Sequence, residues 1–200
     1  MMLFETIQIL NGKPQRLRYH NQRFNRSRQA LFCTEELLFL EQYIQIPAEF
    51  SYGFLKCKII YDASVVDIEF TKYQPRKINR FYLVETELNY DYKFLDRSDF
   101  EQLKTNYPSD SELILVKNGL ITDTTYSNLI FKDLQGNWVT PLKPLLIGTQ
   151  REFLLDAGQI AEKPISPSDL KQQYSHFMLI NAMLPFNESR EIPVELIENL

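Results

Sequence analysis

The sequence predicts an α+β protein built from two unlike halves. Runs rich in aromatic and β-branched residues are typical of strands, and those at 52–61 and 64–73 form the clearest hairpin. Helical patterns with capping residues, such as the one that starts near Ser98, alternate with these strands. The length fits one domain or two small ones, and we place the boundary between the two halves so that they cover residues 1–90 and 91–200.

The periodicity of the apolar residues predicts the elements of each half in order. In the first half we expect a strand at 3–10 that ends at the Asn11-Gly12 turn, a return strand at 15–19, helices at 20–32 and 35–43, the hairpin, and a strand at 80–87 that completes one antiparallel sheet. In the second half we expect helices at 98–105, 146–156 and from Ser166 onward, and strands at 112–116, 127–131, 137–140 and 174–180.

Composition restricts the partners that the protein can have. The chain has 200 residues, 44% of them hydrophobic, and a formal charge of −4, which argues against a general basic surface for nucleic acid or an anionic membrane. No apolar run reaches the roughly 18 residues that span a bilayer, and the first residues lack the pattern of a secretory signal. Cys33 and Cys57 do not have a metal-binding spacing. We therefore expect a cytoplasmic protein with a small-molecule substrate and no metal.

Lys93 is the first candidate catalytic residue. It lies between a predicted strand and a predicted helix, and Tyr90, Tyr92 and Phe94 flank it. Partial desolvation lowers the pKa of an ammonium from about 10.4, and a shift of roughly three units would make the amine a nucleophile at neutral pH. The alternative is a solvated lysine on a connecting loop.

Four further features carry groups suited to binding an anion or a cofactor, although each is weak alone. Asp123 is the carboxylate of a polar loop between apolar strands, or simply a turn residue. Gly148-Thr149 opens a predicted helix, where backbone N–H groups can hold a phosphate. Arg23, in His20-x-x-Arg23, can grip an anion or lie on a solvated helix face. Asn181 follows an apolar strand and could be no more than a turn residue.

The order and character of these features resemble the class IV aminotransferases, pyridoxal 5′-phosphate (PLP) enzymes of fold type IV, and most of all their aminodeoxychorismate lyase branch. The motifs that carry the resemblance extend over nearly the whole chain. They are Phe4-Glu5-Thr6, His20-x-x-Arg23, Lys93-x-Leu95-x-Arg97, Ile121-Thr122-Asp123 with Ser127-Asn128-Leu129, Gly148-Thr149-Gln150-Arg151, and Ile180-Asn181-Ala182-Met183-Leu184-Pro185.

The resemblance implies a two-domain fold-type-IV enzyme of the D-amino-acid aminotransferase kind. Such an enzyme has a small N-terminal α/β sandwich, a C-terminal β-barrel-like domain with helices, PLP between the two, and usually a homodimeric assembly. Lys93 would bind PLP covalently and move the substrate proton, while Arg97 and Asn181 would lie near the substrate. The residues implied to bind the cofactor are Arg23, Lys93, Asp123, Ser127, Asn128, Gly148, Thr149 and Gln150.

The implied reaction is the cleavage of aminodeoxychorismate to 4-aminobenzoate and pyruvate for folate synthesis. One alternative is a class IV amino-acid transaminase. Another is a shortened member that lacks the cofactor and acts as a binding protein, because the chain begins almost at Phe4 and has Asp123 where the family usually has glutamate. A tight hairpin also stands at 60–64 in place of an arginine- and glycine-rich family segment, which leaves Arg76, Lys77 or Arg80 to bind substrate carboxylates.

Overall fold

The computed structural model describes all residues from Met1 to Leu200. The backbone forms two compact units, Met1–Pro75 with Tyr92–Asp96 and Arg76–Asp91 with Arg97–Leu200. This division differs from the predicted boundary after residue 90, because the chain enters the second unit at Arg76 and returns to the first for the five residues around Lys93.

The first unit contains an antiparallel sheet of four strands in the order β2-β1-β3-β4. The strands are β1 Leu3–Leu10, β2 Lys13–Pro14, β3 Phe54–Tyr61 and β4 Val65–Lys72. Asn11 and Gly12, with φ of 48° and 72°, form the turn between β1 and β2, since a two-residue hairpin turn of this kind needs positive φ at both positions. The predicted strand at 3–10 and the hairpin of β3 and β4 are confirmed.

Helix α1, Leu17–Phe32, begins earlier than predicted and replaces the expected return strand at 15–19. Strand β2 pairs with β1 only at Lys13 and Pro14, and the Gln15 N–H adds one more bond, to the Gln8 carbonyl at 2.8 Å, before α1 begins. Leu17, Phe24 and Leu31 recur at helical spacing and contact the apolar core of the first unit. Phe24 packs edge-on against Tyr61, with the ring centres 4.6 Å apart.

The helix predicted at 35–43 is wrong, because side chains of α1 bind the backbone of this segment. Asn25 donates to the carbonyl of Leu38 at 2.8 Å and accepts from its N–H at 3.0 Å. Asn21 accepts from the N–H of Leu40 at 2.8 Å. These bonds take the places of helical ones, and only Leu40–Gln42 forms a single 3₁₀ turn.

Strand β5, Arg80–Glu85, does not complete the first sheet as predicted. Both sides of β3 are occupied by β1 and β4. β5 instead pairs in parallel with β6, Ser111–Lys117, in the sheet of the second unit. A parallel pair needs a crossover, and residues 86–110, which include helix α2 (Ser98–Lys104), provide it.

The second unit contains an eight-stranded sheet and three helices. The strand path is β10-β9-β8-β7-β6-β5, and β11 pairs with β8 and with β12. The remaining strands are β7 Leu120–Thr124, β8 Asn128–Asp133, β9 Trp138–Pro141, β10 Ala161–Lys163, β11 Tyr174–Ile180 and β12 Ile192–Pro193, and the remaining helices are α3 Thr149–Asp156 and α4 Pro167–Gln173. Both units are α+β, as predicted.

The predicted elements of the second unit are confirmed apart from their ends, but Asp123 lies on strand β7 rather than in the predicted polar loop, and two short strands are additional. Ser166 and Asp169 form a capping box for α4, with Pro167 at its first position. α3 begins at Thr149 rather than 146, and β10 and β12 were not predicted. No helix in the structure is both long and apolar enough to cross a membrane.

Candidate functional site

The centre of the candidate site in the second unit is the carboxylate of Asp123 on β7. Its Oδ1 accepts from the Asn128 side chain at 2.7 Å, and its Oδ2 accepts from the backbone N–H of Leu146 at 2.8 Å. The Asn128 amide also donates to the carbonyl of Leu146 at 2.9 Å. The short turn between β7 and β8 sets Asp123 and Asn128 opposite each other. Asn128 then links the carboxylate to the segment that leads into α3.

Asp123 is a buried acid that forms no ion pair with a basic side chain of its unit. Burial raises the pKa of its carboxyl from 3.8 to about 6, although the hydrogen bonds from Leu146 and Asn128 and the charge of Arg151 lower it in part. A neutral donor stabilises a carboxylate less than a charged donor does. The site therefore suits a ligand that brings a cationic N–H group to this acid.

Gly148 gives the Asn128 side chain the space that it occupies. A Cβ built on Gly148 would lie 1.8 Å from Asn128 Oδ1 and 3.0 Å from its Cγ. Gly148 has φ −84° and ψ 141°, an ordinary conformation for any residue, so close contact rather than backbone geometry requires glycine here.

The first turn of α3 follows Gly148 directly. Thr149, Gln150 and Arg151 are all buried. The Arg151 guanidinium donates to Glu162 at 2.6 Å and to the carbonyl of Pro141 at 3.0 Å, which fixes the helix start to β9 and β10. The first N–H groups of a helix have no acceptor within the helix and, with its dipole, attract anions.

Ser127 and Asn181 form a second cluster beside the turn after β7. The Asn181 side chain donates to Ser127 Oγ at 2.8 Å, and its oxygen accepts from the N–H groups of Met183 and Leu184 at 2.8 and 3.0 Å. The residue that follows β11 is thus tied to the turn that follows β7 and Asp123.

Two charged side chains hold the backbone of Thr125 inside this turn. Glu112, fully buried, accepts from the Thr125 N–H at 2.9 Å and from its hydroxyl at 2.5 Å. Arg97 donates to the Thr125 carbonyl and to Tyr90 Oη, the latter at 2.8 Å, and lies 4.5 Å from the centre of the Phe100 ring. The expected role of Arg97 near the substrate stays a prediction. Glu112 was not predicted from the sequence, in which its only signal is a lone carboxylate at the start of the apolar run ELILV.

Lys93 lies in the first unit, on a segment that runs beside β1. The Phe4 N–H donates to the Lys93 carbonyl at 3.0 Å, and the Leu95 N–H donates to the Met2 carbonyl at 2.9 Å. The half-buried Lys93 ammonium lies 4.4 Å from the centre of the Phe4 ring. Phe94, one of the flanking aromatic residues, packs against the core of the unit. The aromatic partner of the ammonium thus comes from β1.

Arg23, on α1 of the first unit, is part of a buried ionic cluster. Its Nε and terminal nitrogen donate to the two carboxylate oxygens of Glu5 at 2.7 and 2.6 Å, and His20 Nδ1 lies 2.6 Å from the same carboxylate. Burial alone would raise the pKa of Glu5, but the charge of Arg23 and hydrogen bonds from both partners outweigh it and lower the pKa to about 2. Burial also lowers the pKa of His20. Glu5 thus fixes the plane of the Arg23 guanidinium, whose binding to a phosphate stays a prediction.

Comparison with known sequences assigns the family. The sequence model of the family described as amino-transferase class IV matches residues 88–192, more than half of the chain. The chain belongs to this family. The predicted fold class, a two-domain α+β protein of fold type IV, is confirmed by this match and by the solved structures that resemble it.

Three relatives show how far the similarity of this class IV aminotransferase extends. An uncharacterized protein of Haemophilus influenzae is 37% identical over 186 residues, which cover 90% of this chain and 97% of the relative. The crystal structure of a candidate 4-amino-4-deoxychorismate lyase from Haemophilus somnus is 33% identical, with a TM-score of 0.84 and coverage of 92% of this chain and 97% of that one. A hypothetical aminotransferase of Mycobacterium tuberculosis, solved in a PLP-bound form, is 15% identical with a TM-score of 0.75, over 99% and 81% of the two chains, and shows the shared fold.

Proposed function

We propose that this class IV aminotransferase binds PLP and uses it to cleave 4-amino-4-deoxychorismate to 4-aminobenzoate and pyruvate, a step of folate synthesis. The observation that carries the cofactor assignment is the buried Asp123 carboxylate, which has neutral hydrogen-bond donors and a raised pKa. The lyase assignment is supported by the 33% identity to the candidate lyase of Haemophilus somnus. The homodimer and the cytoplasmic location stay predictions.

The residues of the second unit fit PLP. A pyridine nitrogen that carries a proton is the cationic N–H donor that Asp123 lacks within its own unit, and an ionised Asp123 would keep that proton in place. The first turn of α3 offers backbone N–H groups of Thr149 and Gln150 for the phosphate. Asn128 fixes the Asp123 carboxylate, and Ser127 with Asn181 fixes the adjoining turn.

The first unit would add two groups to this set. Lys93 would bind the cofactor covalently, and Arg23 would hold the phosphate with a guanidinium that Glu5 orients.

The proposed reaction uses few protein groups. Bound PLP supplies a ring that accepts electrons from the amino-bearing carbon of the substrate. The Lys93 amine takes the proton from that carbon, and the C–O bond to the three-carbon side chain breaks as the six-membered ring becomes aromatic. The leaving group gains a proton and departs as pyruvate. Asp123 keeps the charge on the cofactor nitrogen throughout.

The absorbance spectrum of the purified protein tests the cofactor and the lysine together. We expect a band at about 410 to 430 nm after incubation with PLP, the region typical of the cofactor joined to a lysine. Lys93→Ala should abolish the band, whereas the control Lys13→Ala, at an exposed position on β2, should keep it. Borohydride reduction and peptide mapping should locate the cofactor on Lys93. A wild-type protein that takes up no PLP would reject the proposal and favour a binding protein.

The reaction product separates a lyase from a transaminase. The lyase should release 4-aminobenzoate and pyruvate in equal amounts from aminodeoxychorismate. A transaminase should instead transfer an amino group from an amino acid to a 2-oxo acid, and it should pass through an aminated form of the cofactor that lacks the band. Transamination without release of 4-aminobenzoate would reject the lyase assignment and leave the cofactor assignment intact.

A further inference from the structure

Arg76 is an exposed cation with a fixed aromatic support in the second unit. Its guanidinium carbon lies 5.1 Å from the centre of the Tyr126 ring, which is within the distance of a cation–π contact. Tyr126 is half-buried and packs against the main apolar core of the unit. Arg76 forms no ion pair with an acidic side chain of this structure. Its hydrogen-bond donors therefore lie in a defined place without an internal anion.

Tyr126, which supports Arg76, belongs to the turn that follows Asp123 and strand β7. The Tyr126 N–H lies 3.4 Å from Thr124 Oγ1, and the Tyr126 carbonyl lies 3.5 Å from the Asn181 amide. Asn181 also binds Ser127, the next residue of the turn, at 2.8 Å. Arg76 is thus held next to residues of the candidate site rather than on an unrelated face of the unit.

The other arginines near this turn are engaged with protein groups. Arg97 donates to the Thr125 carbonyl and Tyr90, and Arg151 pairs with Glu162 at 2.6 Å. Arg80 is exposed like Arg76, but a hydrogen bond to Tyr82 and the charge of Asp110 raise its pKa. Unlike Arg80, which has Asp110 nearby, Arg76 thus combines a fixed position with the absence of a nearby acid.

We propose that Arg76, supported by Tyr126, binds a carboxylate of the substrate. The identity of that substrate rests on the proposed function, since aminodeoxychorismate carries one carboxylate on its ring and one on its side chain. The planar guanidinium can donate two parallel N–H bonds to a carboxylate, which a lysine cannot do. The contact with the Tyr126 ring keeps the guanidinium plane in place before the substrate arrives.

Chorismate is a suitable probe because it has both carboxylates but carries a hydroxyl in place of the reactive amino group. We would titrate it calorimetrically into the PLP-incubated wild type, Arg76→Gln, Arg76→Lys and the matched control Arg80→Gln at low salt. We expect Arg76→Gln to raise Kd by about tenfold or more, the usual effect of losing a hydrogen bond to a charged group. Arg76→Lys should recover only part of this loss, and Arg80→Gln should bind as the wild type does.

Tyr126 variants test the support separately from the charge. Tyr126→Phe keeps the ring under Arg76 and should bind chorismate normally, whereas Tyr126→Leu should weaken binding in the wild-type background and have little further effect in Arg76→Gln. With aminodeoxychorismate, Arg76→Gln should raise KM and leave kcat nearly unchanged, because a carboxylate contact is the same in the ground state and the transition state.

Three results would overturn the assignment of Arg76: no chorismate binding by the wild type, equal binding by wild type and Arg76→Gln, or an equal loss in Arg80→Gln. The last result would indicate a general field of positive charge. The absorbance band distinguishes these results from failure of the proposed function, since Arg76→Gln should keep the band and the melting temperature of the wild type. A wild type without the band rejects the cofactor assignment whatever the chorismate titration gives.

Discussion

Replacement of Gly148 by alanine should disrupt the candidate site through a single contact. The added Cβ would lie 1.8 Å from Asn128 Oδ1, closer than any van der Waals contact permits. The Asn128 side chain would have to leave, and its bonds to Asp123 at 2.7 Å and to the Leu146 carbonyl at 2.9 Å would be lost. The backbone of Gly148 has a conformation open to alanine, so no backbone strain adds to this effect.

The magnitude follows from the bonds that Gly148→Ala breaks. Loss of a hydrogen bond to a charged group destabilises a protein by about 1.5 to 3 kcal/mol. Alanine is also a poorer residue than glycine just before a helix, which adds up to about 1 kcal/mol. We therefore expect a loss of about 2 to 4 kcal/mol in the free energy of unfolding, together with weaker binding of PLP.

A double-mutant cycle with Asn128→Ala isolates the contact. Unfolding in urea would be measured for wild type, both single variants and the double variant. Once Asn128 is shortened, Gly148→Ala should lose only the capping part, so the two substitutions should show a coupling energy of about 1.5 to 3 kcal/mol. A coupling below about 0.5 kcal/mol, the level of independent sites, would refute the role assigned to Gly148.

Two further predictions concern pH, and both are read from urea unfolding of the cofactor-free protein. The pKa of Asp123 is about 6 when folded and 3.8 as the reference value, so the folded state binds this proton more tightly. The free energy of unfolding should therefore fall between about pH 4 and 6, and the contribution of Asp123 should be about 3 kcal/mol lower at pH 7 than below pH 4. Asp123→Asn should lack this trend. A difference between wild type and variant that does not change with pH would contradict the assignment. The pKa of Glu5 is about 2 when folded against 4.5 as the reference, so its stabilisation is complete above about pH 4.5 and is lost towards pH 2. Glu5→Gln should cost about 3 to 5 kcal/mol at pH 7 and much less at pH 2, and an equal cost at both values would show that the charge of Glu5 is not involved.

The sequence predicted correctly the turns and caps that depend only on a few adjacent residues. The Asn11-Gly12 turn, the hairpin of β3 and β4, and the cap at Ser166 each depend on a few adjacent residues, and the structure contains all three. The helix expected at 35–43 failed because its competitor is distant, since Asn21 and Asn25 of α1 bind the backbone of that segment.

The sheet to which β5 belongs could not be read from its own residues. Its composition indicates a strand but not a partner, and the alternating pattern is the same for a strand beside β4 and one beside β6. What decides the pairing is the crossover through α2, which returns the chain in parallel, and the core position of Phe81. Long-range pairing of this kind has no short-range signal.

Most residues of the candidate site could be predicted one by one, but their contacts with one another could not. Asp123, Asn128 and Gly148 were found as members of separate motifs, and the structure brings them within hydrogen-bonding or contact distance. Their mutual contacts could not be predicted, because they depend on how the β7 turn meets the segment before α3. Glu112 was missed for a related reason, since its partner Thr125 lies on another strand connection.

The two buried carboxylates of the second unit show which acid is structural and which is available to a ligand. Glu112 has partners for both oxygens within the protein, namely Thr125 and the Lys104 ammonium at 3.1 Å. Asp123 has only neutral close donors, and burial raises its pKa to about 6. A fold that only needed a buried acid would compensate both charges, because an uncompensated buried charge is destabilising. The difference between the two acids therefore favours a ligand cation at Asp123, while Glu112 and Arg97 fix the adjoining turn at Thr125.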